Sequence, residues 1–281
     1  MFPRVSTTRL FGCLVLAAFG AAAGLAGQAD EGNADEGNAG NGGFYLGVAF
    51  PLGNLGTTMR KSVDNTAPNT LVPEPRRGQV FEDEVSGNAL SYGVGVVAGY
   101  RMPFSGGVYF LDGAVDVATH GGAVEAQFAG VGISPERKQL GESWPDRWDL
   151  DRSTGYGLTL RLGGSPGGLR SRGISLHVLA GIRLVGAQFT NRSDGCFTTD
   201  PCDPSQFLSG RENRDMDFTV WKSGIGLEKA LGERVALRVE ASYSAYAREE
   251  WSTEFDDVVV TVRSSMEASE AGLAAGLLLR P

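Results

Sequence analysis

The sequence has few of the residues that build metal and nucleic-acid sites. Its 281 residues include only two histidines and three cysteines. The histidines, His120 and His177, lie far along the chain from the pair Cys196 and Cys202, so we expect no zinc site with clustered ligands and no other cofactor. The net charge is −8, without a basic tail, which argues against binding to nucleic acid.

Long apolar runs are absent beyond the N-terminus. No later segment stays apolar for the length that a transmembrane helix needs, and no segment keeps a helical period. The sequence therefore excludes a bundle of membrane helices, and strand-like alternation is the pattern that remains.

The N-terminus is typical of an export signal. In "MFPRVSTTRLFGCLVLAAFGAAAGLAG", Arg4 and Arg9 precede an apolar run and then small residues. We predict a signal peptide over residues 1–26, with a transit peptide or an uncleaved helix as the alternatives. Cys13 precedes most of the apolar run, so it is read as an ordinary signal residue. Residues 27–43, which include "ADEGNADEGNAGNGG", cannot bury a core and predict a flexible leader, with calcium binding as the alternative.

Export leaves an even number of cysteines in an oxidising compartment. Cys196 and Cys202, in "CFTTDPC", are predicted to form a disulfide that closes a small loop. Two free thiols are the alternative.

Strand-like alternation recurs along residues 44–281. In "ERVALRVEASYSAY", residues 233–246, one face is apolar and the other carries ions. Seven further stretches of roughly ten residues alternate similarly: "FYLGVAFPL", "LSYGVGVVAGYR", "VYFLDGAVDVA", "TGYGLTLRLGG", "GISLHVLAGIRL", "TVWKSGIGLEK" and "SEAGLAAGLLLR". Each has about the length with which a tilted strand crosses a bilayer.

The connections between these stretches alternate strictly between short and long. "MPFSGG", "SPGGLRSR" and "ALGER" are short and rich in turn formers, whereas about residues 53–89, 119–152, 190–217 and 248–268 form long segments. This pattern predicts an all-β, eight-stranded antiparallel up-and-down transmembrane β-barrel with short periplasmic turns and long extracellular loops. A soluble sandwich, a lipocalin-like barrel, and a ten-stranded barrel that uses "AVEAQFAGVGI" remain alternatives.

With its signal, alternating strands and Gly-aromatic segments such as "YGVGVVAGYR", the sequence resembles the small outer-membrane β-barrels of the OmpA, OmpX and opacity-protein type. The resemblance implies a monomer in the outer membrane of a Gram-negative bacterium, in contact with lipid and lipopolysaccharide, delivered by the barrel-assembly machinery. It also implies a structural, adhesive or narrow-pore role. The chain departs from the pattern at its end, where Pro281 stands in place of the usual terminal aromatic.

Ionisable side chains alternate with apolar ones and are predicted to fill the lumen, because an eight-stranded barrel is just wide enough to be packed with side chains. Buried charges need partners, so a salt-bridge network is expected, with Asp112 or Asp116 facing Arg238 across the lumen. Arg101, Arg234 and Arg280 share this face. The main network candidates are Asp112, Asp116, Arg161, His177, Arg183, Lys222, Glu228, Arg238, Glu240 and Glu270.

Three functions follow from these features. Large loops and a plugged lumen favour a structural or adhesive surface protein, with Trp144 and Trp148 as candidate recognition residues for a host or cell-surface ligand. The alternative location of both tryptophans is the aromatic belt. The ionisable lumen favours a small channel gated by ion pairs. A lipid-modifying enzyme would rest on His177 and Ser175 alone, and no catalytic activity is expected.

Overall fold

A computed structural model describes residues 42–68, 77–128, 146–196, 207–255 and 260–280. Within them the chain is almost entirely antiparallel strand. The strands are β1 (Gly43–Asp64), β2 (Val80–Phe104), β3 (Tyr109–Gly121), β4 (Val124–Gln127), β5 (Asp146–Gly164), β6 (Ile174–Cys196), β7 (Phe207–Ala230), β8 (Val235–Tyr246), β9 (Glu249–Phe255) and β10 (Val260–Leu279). A single turn of helix, α1 (Gly168–Ser171), lies between β5 and β6.

The strands close into a ring of eight. The order is β1-β2-β3-β5-β6-β7-β8-β10, and β10 pairs with β1 from Leu46↔Leu279 to Asp64↔Thr261. The two remaining strands continue ring strands after short breaks: β4 follows β3 and pairs with β5, whereas β9 follows β8 and pairs with β10. The predicted eight-stranded barrel is confirmed, and "AVEAQFAGVGI" contributes β4 as an extension of β3.

All the short connections lie at one end of the barrel, which we call the turn end. Ser105, Gly106 and Gly107 adopt positive φ between β2 and β3, residues 165–173 join β5 to β6 around α1, and residues 231–234 join β7 to β8. Both β1 and β10 also reach this end of the barrel, as an even strand number requires. Among the described residues no helix is long and apolar enough to cross a membrane.

The opposite end, which we call the loop end, is built mostly from strand. β1 has 22 residues, β2 has 25 and β7 has 24, about twice the number that a membrane crossing uses. The bounds of the predicted long loops were therefore wrong. Much of each predicted loop is hydrogen-bonded hairpin, as the register from Asn54↔Leu90 to Asp64↔Val80 shows for β1 and β2.

The polarity of the two faces is inverted partway along each long strand. Near the turn end the outward residues of β1 are apolar and the inward ones are small, with Leu46, Val48, Phe50 and Leu52 outside against Gly47, Ala49 and Gly53. Beyond Asn54 the outward residues are polar, and Leu55 and Met59 point inward and are fully buried. The turn-end half thus has the surface of a membrane barrel, and the loop-end half has the apolar interior of a water-soluble one.

A bulge in β5 fits this strand to both halves. Opposite Gly186, the strand carries the two residues Ser153 and Thr154, between Arg152↔Ala187 and Gly155↔Val185. The extra residue shifts the alternation by one position. Even-numbered residues from Asp146 to Arg152 point inward above the bulge, and odd-numbered residues from Gly155 to Arg161 are the buried ones below it.

The continuation of β5 into the predicted loop corrects the prediction for Trp148. Its side chain is 0 % exposed and lies inside the loop-end half, so it is neither a surface recognition residue nor part of an aromatic belt. Arg234 also differs from expectation, because it lies in the exposed turn after β7 and not in the lumen. Residues 1–41, Trp144, Cys202 and Pro281 lie outside the described residues, and with them the signal peptide, most of the leader, the disulfide and the C-terminal signal.

Candidate functional site

The lumen near the turn end is filled by a charged cluster centred on two carboxylates. Asp112 is 0 % exposed, and its Oδ2 lies 3.2 Å from Arg238 Nη2 and 3.4 Å from Arg101 Nη2. Its Oδ1 accepts hydrogen bonds from Tyr45 Oη at 2.7 Å and from Arg161 Nη1 at 3.2 Å. Every oxygen of this carboxylate therefore has partners, which is the condition under which a buried charge is tolerated.

Glu228 is the second centre of this cluster. Its carboxylate accepts both Nη groups of Arg101 at 2.8 Å, and Arg238 donates to Oε2 from Nε at 3.0 Å and from Nη2 at 2.8 Å. Arg280, from the end of β10, also contacts it. In the ring, β2 lies opposite β7 and β3 lies opposite β8. The pairs Arg101–Glu228 and Asp112–Arg238 therefore cross the lumen and tie opposite walls together.

Glu240 extends the cluster toward β5 and β6. It accepts from Arg161 Nε at 2.6 Å and lies 3.2 Å from His177 Nε2. His177 Nδ1 has no hydrogen-bond partner among the described residues, and the ring packs against Phe110 with centroids 6.5 Å apart. The imidazole thus meets a carboxylate.

Two further polar levels lie above this cluster. In the first, Arg183 Nη2 donates to Asp116 Oδ2 at 2.5 Å. In the second, Arg152 Nη1 donates to Glu270 Oε2 at 2.7 Å and to Tyr246 Oη at 2.5 Å, and Ser91 Oγ donates to Glu270 Oε1 at 2.6 Å. Because β5 and β10 stand opposite each other in the ring, Arg152 and Glu270 form another bridge across the lumen.

An apolar core closes the loop-end half above these levels. Trp148, Phe189 and Phe218 are fully buried at its centre. Phe189 meets the Trp251 ring edge-on, with centroids 5.2 Å apart. The core comprises Leu55, Met59, Val124, Phe128, Trp148, Leu150, Val185, Ala187, Phe189, Met216, Phe218, Val220, Trp251, Met266 and Ala268. A dry apolar layer of this kind opposes the entry of ions, because a desolvated charge has no partner in it.

Near the mouth of the loop end a cleft of about 750 Å³ opens to solvent. A buried ion pair closes its base, with Lys61 Nζ 2.5 Å from Asp146 Oδ2. Its walls are Arg60, Lys61, Ser62, Glu82, Asp83, Glu84, Arg248, Glu250, Trp251, Ser252, Arg263, Ser264 and Ser265. Above it, Asp64 accepts hydrogen bonds from the hydroxyl and the amide of Thr66, and these hold the pKa of Asp64 below its ordinary value.

A belt of exposed apolar side chains surrounds the turn-end half. Ile225 and Leu90 are each 64 % exposed. Both lie on regular strands, and no other described element covers them. Aromatic residues mark the border of the belt nearest the turn end. There the ring centroids of Phe44 and Tyr100 are 4.8 Å apart, and those of the stacked Phe104 and Tyr109 are 5.9 Å apart. At the border of the belt nearest the loop end, the exposed aromatic residues are Tyr92, Trp221 and Tyr243. An apolar band between aromatic girdles is the surface of a barrel that sits in lipid.

The structure places all ten network candidates on the inward side of the barrel wall. It brings Asp112, Glu228 and Arg238 into contact and joins Asp116 to Arg183 and not to Arg238. Sequence reasoning missed Arg152 and the pair Lys61–Asp146, because it assigned residues 53–89 and 119–152 to long loops, whereas β1 and β5 extend into them. The inverted polarity of the loop-end half was the signal that would have placed these residues inside.

No protein-family model matches the chain, and no curated protein does. Several solved structures do. The attachment invasion locus protein Ail of Yersinia pestis is 12 % identical, covers 80 % of this chain and 97 % of its own, and has a TM-score of 0.22. Neisserial surface protein A is 14 % identical, with coverages of 85 % and 97 % and a TM-score of 0.29. The translocator domain of the autotransporter NalP from Neisseria meningitidis is 14 % identical, with coverages of 82 % and 88 % and a TM-score of 0.27.

At such low identity and TM-score, the assignment of the fold depends on the strand pairing of this chain itself. The closed ring, the filled lumen and the lipid-facing belt are all properties of its own described residues. By this architecture the chain is a closed eight-stranded antiparallel β-barrel with an apolar outer belt, which confirms the fold predicted from the sequence.

Proposed function

We propose that the protein is an outer-membrane surface protein whose barrel is closed to solutes and whose rigid loop-end hairpins present a binding surface. The observation that carries this proposal is the filled lumen: bridges between opposite strands at the turn end, Arg152–Glu270 above them, and then the apolar core. The proposal includes export through the predicted signal peptide.

The alternative is a small channel gated by the lumen ion pairs. Ion passage would require the bridges Arg101–Glu228 and Asp112–Arg238 to separate, and it would also require the fully buried Trp148, Phe189 and Phe218 to move apart. Separating the partners of buried ion pairs leaves uncompensated buried charges, which is costly, and opening an apolar core adds to that cost. This sum favours the closed barrel over the channel.

The loop-end half offers a surface suited to recognition. Its hairpins are extended, hydrogen-bonded strands and therefore lose little conformational entropy when they bind. The cleft at the mouth joins cationic Arg60 and Arg248 with acidic Glu82 and Glu84. Arginine is among the residues that most often dominate binding energy in protein interfaces, so the favoured partner is a polar macromolecule of mixed charge.

The test is a double substitution in the cleft that spares the barrel. Arg60 and Arg248 line the cleft, and both side chains are 45 % exposed. Arg60→Ser together with Arg248→Ser removes these two cations but no backbone hydrogen bond, so the heat-dependent gel mobility of a folded barrel should be unchanged. Bacteria that display the variant should lose attachment to host cells. Attachment at the full level by the variant would argue against this cleft as the binding surface.

A control substitution at the turn end separates binding from general damage. Residues 232–234 connect β7 to β8 at the end remote from the cleft, where they are exposed. Replacing them with Gly-Ser-Gly keeps the length of the connection, and with it the register Ala230↔Ala236, so attachment should be unchanged. If the cleft variant and this control reduced attachment equally, the surface role of the loop end would be contradicted.

A further inference from the structure

The lumen of the turn-end half contains a partly open cavity between the two sides of the barrel. A cavity of about 80 Å³ lies against the inner surfaces of β1, β2 and β10, where the side chains are small. Its apolar wall includes Ala49, Gly95, Ala274 and Gly276. The pairing of β1 with β2 is interrupted beside it, since Phe50 and Pro51 have no register partners in β2. The space exceeds the ~10–15 Å³ that one water molecule requires.

The opposite wall of this cavity is cationic. Arg161, Arg183, Lys222 and Arg238 line it, together with the carboxylates Asp116 and Glu240 and the hydroxyl of Thr159. Asp116 is already bound by Arg183 at 2.5 Å, and Glu240 Oε1 is bound by Arg161 at 2.6 Å. The carboxylates on this wall are therefore engaged by the arginines.

Of these four cations, Lys222 has the positive charge that is least balanced by a nearby carboxylate. Its nearest carboxylate oxygen is Glu240 Oε2, 3.7 Å from Nζ, which is an ion-pair distance beyond hydrogen-bond range. The Lys222 side chain points into the lumen, and 17 % of its surface remains accessible to solvent. An ammonium carries three donors, and Lys222 lines the cavity.

Between the turn end and the apolar core, the described residues of the lumen carry more positive than negative charges. The carboxylates are Asp112, Asp116, Glu228, Glu240 and Glu270. The cations are Arg101, Arg152, Arg161, Arg183, Lys222 and Arg238, with Arg280 added at the rim. Cations thus exceed carboxylates. A buried charge without a counter-charge is costly, so the folded barrel gains stability from an anion placed beside Lys222.

We propose that this cavity binds a small monovalent anion of halide or formate size, held by the ammonium of Lys222 and the guanidinium of Arg183 against the small-residue wall. The anion supplies the missing negative charge and accepts the free donors of Lys222. The site is independent of the surface role proposed above, because the cleft at the loop end contains none of its residues.

The test uses chloride as the probe and stability as the readout. Protein refolded in detergent micelles is unfolded with urea at constant ionic strength, with chloride replacing sulfate stepwise. Each tenfold rise in chloride above its dissociation constant should raise the folding equilibrium constant tenfold. Lys222→Met should abolish this dependence. Lys229→Met, in the same strand and at the turn end, where the lysine donates to the Arg172 carbonyl, should preserve it.

Crystals grown with bromide supply a measurement that does not depend on any variant. An anomalous peak beside Lys222 Nζ, inside the cavity, supports the site. Absence of the peak, together with equal stability in chloride and sulfate, would overturn the proposal. A chloride dependence that persists in Lys222→Met would equally overturn it, because the anion would then act elsewhere. If Lys222→Met fails to fold, Lys222→Arg keeps the charge and should retain the chloride dependence.

Discussion

At the scale of the residue, the stability of the barrel depends on how completely each buried charge is paired. Asp112 shows the principle most clearly, because Tyr45 and three guanidinium groups surround one fully buried carboxylate. The sequence indicated that Asp112 and Arg238 share the inner face, because their alternation with apolar neighbours is regular. It also predicted that Asp112 or Asp116 faces Arg238 across the lumen, and in the structure Asp112 is the one that does. It did not indicate the other pairs, since partners across the lumen depend on the tilt and closure of the whole ring.

Asp112→Asn should destabilise the barrel strongly. The substitution keeps the size of the side chain but leaves Arg101, Arg161 and Arg238 with one carboxylate fewer in a buried site. Removing one partner of a buried ion pair costs about 3–5 kcal/mol, and urea unfolding in micelles measures the loss. The matched variant is Asp151→Asn, on the exposed outer face of β5, for which a change below about 0.5 kcal/mol is expected. Equal effects at the two positions would contradict this account of the lumen.

Trp148→Ala should also be costly, for a different reason. The indole is fully buried in the apolar core, and truncating a buried tryptophan typically costs about 3–5 kcal/mol. Trp221→Ala is the control, because Trp221 is 62 % exposed on the lipid-facing belt and leaves no internal cavity. Urea unfolding compares the two variants. If Trp221→Ala proved the more damaging, Trp148 would not lie in the core.

At the scale of the element, each long strand combines two environments that demand opposite patterns. In the turn-end half an apolar residue points outward, and in the loop-end half it points inward. The regular period of two survives this change, but the polarity of the faces does not. The segments above Gly53 and Ala89 therefore resemble polar loops when only the membrane pattern is considered, although the structure continues β1 and β2 through them. Strand length was not predictable for this reason.

The bulge in β5 can be tested by two deletions of one residue each. Deleting Ser153 removes the extra residue opposite Gly186 and makes the pairing regular, so the inward positions of Trp148 and Arg152 are preserved. Deleting Asp151 instead turns Trp148 outward and should destabilise the barrel. Urea unfolding and the accessibility of tryptophan to acrylamide measure both effects. The interpretation is wrong if deletion of Ser153 is as damaging as deletion of Asp151.

At the scale of the whole molecule, the barrel consists of a membrane half stabilised by internal ions and an exposed half stabilised by an apolar core. The sequence allowed the eight-stranded ring and its orientation to be predicted, because turn-rich and long connections alternate without exception. The closed core of the loop-end half was not predictable from local alternation, because Phe189, Phe218 and Trp251 come together only through ring closure. This core supports the proposal that the barrel is closed to solutes and acts through its outer surface.

The most direct test of the closed barrel is single-channel recording in planar bilayers with the refolded protein. Heat-dependent gel mobility would confirm folding of the same preparation, and an open porin would serve as the positive control. The account predicts a silent membrane at voltages where the porin conducts, because the lumen bridges and the apolar core leave no continuous aqueous path. Discrete, reproducible current steps from the folded protein would contradict it and would favour the channel gated by the lumen ion pairs.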